Sequence, residues 1–268
     1  MMHESVMWLF LMCLILGSVV GLLAGLLGIG GGLLVVPALV WLLPQIGIEP
    51  AMLMHIALAT SLASIVMTSM ASARNHFRLG NVDFSVVKVL APGIIIGGLG
   101  GSVVAELVPA QYLPKVFAVI VLLLALQMML SLRVTHSRPL PSPLASAIGG
   151  GVIGLLSSLA GIGGGSLTVP YLSYFGIEMR RAIGSASLVG FLIAISGMIG
   201  FIFAGVGSAN LPAYSLGYVY LPALVGIAAT SMMTTRYGAA LVTRLPTATL
   251  KKLFAILLLI ISIKMFLS

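Results

Sequence analysis

Apolar residues run along this chain in long unbroken stretches, with short polar turns between them and no strict alternation. Alternation would point to strands. Continuous runs of this length point to helices surrounded by an apolar solvent. The runs predict segments at about 6–27, 31–43, 51–73, 84–107, 113–132, 144–161, 164–176, 182–204, 216–235 and 248–267. A helix needs about 20 residues to cross a ~30 Å hydrocarbon layer. Segments 31–43 and 164–176 fall short of that, and each follows a glycine cluster. They read as second limbs of broken or re-entrant elements.

The pattern repeats. Residues 21–39 read GLLAGLLGIGGGLLVVPAL and residues 154–172 read GLLSSLAGIGGGSLTVPYL, with 13 of 19 positions identical. Further on, Lys115-Val116-Phe117-Ala118 corresponds to Lys252-Leu253-Phe254-Ala255. The chain therefore divides into an N-terminal repeat, 1–132, and a C-terminal repeat, 144–268. The polar, proline-rich stretch 133–143 between them reads as a linker.

Composition sharpens the solvent argument. Only 7% of residues are charged and 60% are hydrophobic. A soluble domain carries roughly 25% charged residues and could not cover its surface with so few. Lipid removes that problem and demands helices or a closed barrel. The net charge of +8 comes from 13 Lys and Arg against 5 Asp and Glu. With no basic stripe interleaved with aromatics, nucleic acid is not an expected partner.

The basic residues instead mark loops that stay in the cytoplasm. Arg74, His76 and Arg78 mark one; Arg133 and Arg138 mark the linker; Arg180 and Arg181 mark a third. Arg236, Arg244, Lys251 and Lys252 mark a fourth, while 205–215 is uncharged and reads as external. All basic loops fall inside if 6–43 and 144–176 each enter and leave on one side. Each half then has three full spans plus a hairpin. The expected fold is an all-α polytopic membrane protein with two repeats of about four transmembrane elements, inverted, each with a glycine-broken or re-entrant helix. The alternative is eight full spans with parallel repeats. Met1-Met2-His3-Glu4 lacks the basic residues of a signal peptide, so the first helix is expected to be retained.

Candidate chemistry lies in the glycine clusters, Gly28, Gly30, Gly31 and Gly32 in one half and Gly161, Gly163, Gly164 and Gly165 in the other. Each glycine costs a helix about 1 kcal/mol relative to alanine, so four in five positions should break it. The break exposes the first amides of the following limb, which carry partial positive charge. Glycine also lets a ligand reach the backbone. Paired breaks thus predict a shared anion site built without charged side chains. The bland reading, close helix packing, suffices for Gly93, Gly97 and Gly101, but packing does not require consecutive glycines.

Thr60, Ser61, Ser185 and Ser187 could add hydroxyl donors, or could bond back to their own helix carbonyls. His55 could carry a coupled proton, although a histidine near the outer interface is unremarkable. Asp83 reads as the cap of the next helix. The lone Cys13 reads as a buried apolar thiol. No paired carboxylates, phosphate-binding loop, zinc-ligand pair or nucleophile elbow is present, so neither cofactor, metal nor enzymatic activity is expected.

On the doubled GxGGGxxxxP pattern, Gly28–Gly32 with Pro37 and Gly161–Gly165 with Pro170, the chain resembles the sulfite exporter TauE/SafE family. Ala59-Thr60-Ser61-Leu62, Arg78-Leu79-Gly80-Asn81-Val82-Asp83 and the Lys-Leu-Phe-Ala start of the last helix add to the resemblance. It implies an inner-membrane permease of bacteria or archaea for sulfite, sulfoacetate, other sulfonates or organic anions. Ser185-Ala186-Ser187 stands where Thr-Ser is common in the family. A thiosulfate-importing branch uses several cysteines, and this chain has one. The expected partners are a small anionic substrate, the lipid bilayer and a second copy of the chain as a homodimer. Export by alternating access is the leading expectation. A passive anion channel and a permease for a non-sulfur carboxylate are the alternatives.

Overall fold

Where a run is apolar on every side, its helix must be covered by protein or lipid all round. The computed structural model describes residues 2–27, 31–130, 139–208, 211–241 and 247–267. Within these, the first half contains α1 (Met2–Leu27), α2 (Gly32–Leu42), α3 (Pro50–Arg78), α4 (Phe84–Leu107) and α5 (Leu113–Leu130). The second half contains α6 (Pro143–Leu159), α7 (Gly165–Tyr174), α8 (Met179–Gly205), α9 (Leu221–Leu241) and α10 (Thr247–Leu267). Five described helices, α1, α3, α4, α5 and α8, are long and apolar enough to cross a membrane. The chain is an all-α polytopic membrane protein.

The glycine breaks set the two short limbs. With 11 and 10 residues, α2 and α7 reach only about 15–17 Å at 1.5 Å per residue. A 3-10 turn at Leu43–Ile46 continues α2, and both it and α2 pack on α1. Likewise α7 packs on α6. Proline opens α3 at Pro50 and α6 at Pro143, where no amide partner is needed. Asp83 caps α4, as the sequence predicts, by accepting from the Ser85 amide at 3.1 Å.

Exchange of helices between halves organises the packing. The main pairs are α4 with α6, α1 with α9, α4 with α8, α3 with α8 and α5 with α10. In α1, Gly17 lies on Ile227 and Gly21 on Ser231, so α1 and α9 run parallel. In α6, Gly150 lies on Leu90 and Gly154 on Ile94, so α4 and α6 also run parallel. Hydroxyls bridge these seams: Thr230 donates to the Leu14 carbonyl at 2.7 Å and Ser262 to the Ala118 carbonyl at 2.8 Å. Small residues and buried hydroxyls are the usual adhesives where lipid removes the hydrophobic drive between helices. Leu123, Leu126 and Leu130 of α5 and Ile256, Ile260 and Ile263 of α10 remain exposed, as lipid-facing positions should.

The sequence places a helix from 216 onward, and the structure does not. Ser215–Leu216 pairs antiparallel with Val219–Tyr220 in a two-residue hairpin, and α9 starts only at Leu221. Gly217, at φ 53°, makes the tight turn and sits against Ile202 of α8. Tyr218, Val219 and Tyr220 are buried, so this hairpin is tucked into the bundle. Periodicity cannot separate so short an apolar strand from a helix start.

The α4–α6 seam yields a stability prediction. A Cβ on Gly93 would collide with the main chain at Ala147, whereas Gly100 faces open space. Gly93→Val should cost about 1–3 kcal/mol or more through overpacking. Gly100→Ala should be neutral or stabilise by up to ~1 kcal/mol through helix propensity. Thermal unfolding in detergent would read the difference.

Candidate functional site

Left-handed glycines turn the chain between each pair of limbs. Gly31 precedes α2 at φ 72°, ψ −16°, and Gly164 precedes α7 at φ 68°, ψ −17°. The two breaks thus share one backbone solution that favours glycine. Gly28 and Gly30 lie outside the described residues, as do 133–138 of the expected linker. Gly31 packs on Val20 and Ala24. Gly32 abuts the Gly161 carbonyl, so the tips of the two hairpins meet. Gly161, at φ 60°, is enclosed by Val36, Leu58 and Ser61.

The predicted hydroxyls divide by task. Buried Ser61 donates to the Gly161 carbonyl at 2.8 Å and thereby ties α3 to the second turn. Buried Thr60 accepts from the Tyr220 amide at 3.0 Å. Ser185 accepts from the Asp83 amide at 2.9 Å. These last two bonds are counterparts, because Tyr220 and Asp83 each immediately precede the fourth helix of their half, α9 or α4. Thr60 and Ser185 therefore anchor the connections at opposite ends of the bundle. Ser187 meets Ser72 at 3.2 Å and donates to the Ile183 carbonyl at 3.0 Å.

A cavity of about 80 Å³ lies beside the second turn, room for several waters or one small oxyanion. Gly163 and Gly165 form its inner wall. Ser69, Ser72, Ser187 and Thr235 line it toward the end of the bundle that carries Arg74, Arg78, Arg180 and Arg181. Among the described residues, no charged side chain lines it. Among the described residues, the amides of Gly163, Gly164 and Ser166 have no hydrogen-bond acceptor. The next amides are satisfied: Leu167 and Thr168 both donate to the Gly164 carbonyl. An uncharged hollow ending on bare amides can hold an anion.

His55 belongs to another cluster. Its Nε2 lies 3.1 Å from the Ala105 carbonyl and 3.6 Å from Glu106, and its ring stacks on Tyr218 at 5.0 Å. It sits at the opposite end from the basic loops and does not line the cavity. Cys13 is buried and free.

Four residues that sequence reasoning passed over surround the second turn. Ser157, Ser158, Ser166 and Thr168 have buried hydroxyl oxygens without a hydrogen-bond partner. Their signal was in the repeat itself, at the few positions where the two copies differ: Ala24, Gly25, Leu33 and Val35 stand there in the first.

Two measurements test these assignments. Thr60→Val leaves the buried Tyr220 amide without an acceptor and should destabilise the protein by about 1–3 kcal/mol in thermal unfolding. Asp83 is held below its ordinary 3.8, first by the Ser85 hydroxyl and further by main-chain amides and Arg181 at 3.6 Å, against partial burial. A depressed folded-state value gives stability that is present above 3.8 and lost as pH falls through the folded value. The drop in melting temperature between neutral pH and ~pH 3 should therefore be smaller in Asp83→Asn than in wild type.

The chain matches the family described as Sulfite exporter TauE/SafE over residues 13–265. It is 46% identical over 258 residues to a probable membrane transporter protein of Haemophilus influenzae, covering 96% of this chain and 98% of that one. A probable membrane transporter protein of Methanocaldococcus jannaschii is 28% identical over 227 residues, covering 84% and 83% of the two chains. YunE of Bacillus subtilis, also a probable membrane transporter protein, is 25% identical over 275 residues, with 94% and 95% covered. No solved structure matches the chain significantly.

Proposed function

Because this chain belongs to the sulfite exporter TauE/SafE family of membrane transporters, we propose that it carries small sulfur-containing oxyanions, such as sulfite, sulfoacetate or another sulfonate, by alternating access around its glycine turns. One observation carries this reading. The amides of Gly163, Gly164 and Ser166 lack acceptors among the described residues, and Gly163 lines a hollow that carries no charged side chain among its described lining residues. In hydrocarbon an unsatisfied amide costs several kcal/mol, and an anion's oxygens would supply the missing acceptors.

The two halves act as an inverted pair. Support comes from helix direction: in each half the short limb folds back beside its partner, which makes the first and fourth helices antiparallel. Since α1 runs parallel to α9 and α4 to α6, α1 and α6 then point opposite ways. The matching anchors at Thr60 and Ser185 favour the same arrangement. Rocking of such halves around a fixed site is a common transport cycle. The hollow lies toward the basic loops, so this conformation faces the cytoplasm. At the other end of the bundle, Tyr218, Val219 and Tyr220 of the 215–220 hairpin are buried.

Export is the proposed direction. With the cell interior negative, one negative charge moving outward gains about 2.3 kcal/mol per 100 mV without a coupling ion. Uptake would need a coupled cation or proton, and among the described residues no acidic side chain lines the cavity.

Valine at either left-handed glycine should close the turn. A side chain on Gly164 would strike Ile193, and one on Gly31 would strike Val20. Gly31→Val and Gly164→Val should each lower sulfite flux in proteoliposomes by ~10-fold or more, the effect of about 1.4 kcal/mol, while the protein still inserts. Wild-type flux in both variants would refute the proposed site.

A further inference from the structure

A second concavity opens on the outer surface of the bundle, away from the glycine turns. It holds about 270 Å³ between the end of α3, the start of α4 and the first half of α8. Met70, Phe77, Phe84, Leu188 and Phe191 line it, and Arg74 is its one charged residue among the described ones. Met70, Phe77 and Phe84 are exposed, so the groove faces the surroundings of the bundle. All three helices are long and apolar enough to cross a membrane, so those surroundings are lipid. An apolar groove offers water no hydrogen-bond partners, and hydrocarbon must fill it.

Its depth matches one leaflet. Leu188 and Phe191 lie 9 and 12 residues along α8 from Met179, at the end that carries the basic loops. At 1.5 Å per residue that is ~14 and ~18 Å, against ~15 Å for half of the ~30 Å hydrocarbon layer. The mouth is basic. Arg74 lines the groove, Arg78 follows one turn later on the same face of α3, and Lys88 stands one turn beyond Phe84 on α4. Lys88 can snorkel to the same level. All three cations are exposed, and none has an ion pair or hydrogen bond among the described residues. Asp83, between two residues of the groove, is engaged by the Ser85 hydroxyl and Arg181. Glu178, the other acidic residue at this end, does not line the groove.

We propose that this groove binds a phospholipid with an anionic headgroup. Its acyl chain lies against Phe77, Phe84 and Leu188, Arg74 holds its phosphate, and Arg78 and Lys88 add charge. A guanidinium meets phosphate through paired N–H donors, and basic side chains at a membrane surface favour anionic lipid. Among the described residues no carboxylate lines the groove to receive the ammonium group of a zwitterionic headgroup. The groove backs onto the hollow beside the second glycine turn. Ser69, Ser72 and Ser187 line the hollow, and the next residues along the chain, Met70, Ala73 and Leu188, line the groove. The two share no described lining residue, so they are separate sites.

The experiment combines native mass spectrometry with thermal unfolding of the full chain in detergent. Protein stripped of lipid is titrated with dioleoyl phosphatidylglycerol, dioleoyl phosphatidylcholine or glycerol phosphate. Wild type is compared with Arg74→Gln, Leu188→Trp and Lys115→Gln, the last removing a charge at the opposite end of α4 from the groove. Wild type should bind phosphatidylglycerol ~5-fold or more tightly than phosphatidylcholine, and its melting temperature should rise accordingly. Arg74→Gln should lose that preference, and Lys115→Gln should keep it. Leu188→Trp fills the groove and should weaken binding of both lipids. Glycerol phosphate, which has no acyl chain, should leave the melting temperature unchanged.

Equal affinity of wild type for the two lipids would overturn the proposal, as would an unchanged preference in Arg74→Gln. Wild-type lipid affinity in a folded Leu188→Trp would overturn it too. If Leu188→Trp does not fold, Arg74→Gln, an exposed position, decides alone. Stabilisation by glycerol phosphate equal to that by phosphatidylglycerol would assign the cations to free phosphate instead. A lipid-free dimer that Leu188→Trp converts to monomer would assign the groove to a second copy of the chain. None of these readouts uses transport, so failure here leaves the proposed function standing.

Discussion

A main-chain amide inside hydrocarbon must find an acceptor, and two helices of this bundle are interrupted where none is supplied by regular structure. The protein meets the acceptor side of that demand first. The Gly161 carbonyl receives the Ser61 hydroxyl, and the Gly164 carbonyl receives two amides of α7. What remains is lopsided: donors at Gly163, Gly164 and Ser166 with nothing to accept them among the described residues. A turn whose carbonyls are satisfied and whose amides are not is electrostatically positive without a charged side chain. Such a turn avoids the desolvation cost of a buried Lys or Arg.

The surrounding helices serve to hold that turn in place. Gly32 presses on Gly161 and Gly190 on the Gly163 carbonyl, contacts that a Cβ would prevent. Parallel seams between the halves, α1 with α9 and α4 with α6, are likewise lined with glycine. In lipid, such close approach replaces the hydrophobic effect as the source of helix association. The hydroxyls of Thr60 and Ser185 fix the connections into α9 and α4 at opposite ends. Each lies on a helix, α3 or α8, that also touches a glycine turn, at Gly161 or Gly163. Each of these helices thus joins one end of the bundle to a glycine turn.

The duplicated halves have diverged in chemistry more than in backbone. Gly31 and Gly164 differ by only a few degrees, yet the residues around them went apolar in one copy and hydroxylated in the other. The long connection before α9 carries a buried hairpin, whereas the connection before α4 is a short loop capped by Asp83. One scaffold therefore has two unequal ends.

Much of this was legible in the sequence, because lipid leaves a chain few choices. Long apolar runs had to become helices, the doubled glycine motif had to break two of them, and the short limbs α2 and α7 followed from counting residues. Local chemistry also named Asp83 as a cap. Other features depended on partners distant in sequence. Nothing local to Thr60 or Ser185 reveals that each receives an amide from more than a hundred residues away. The 216–220 segment is apolar enough for a helix, and only contact with Ile202 and Phe201 of α8 makes it a hairpin. The sequence alone thus determined where the backbone must fail to be helical. The tertiary structure decided which of the exposed amides and hydroxyls stay unpaired, since a polar group's satisfaction depends on what packs against it and not on its neighbours in the chain.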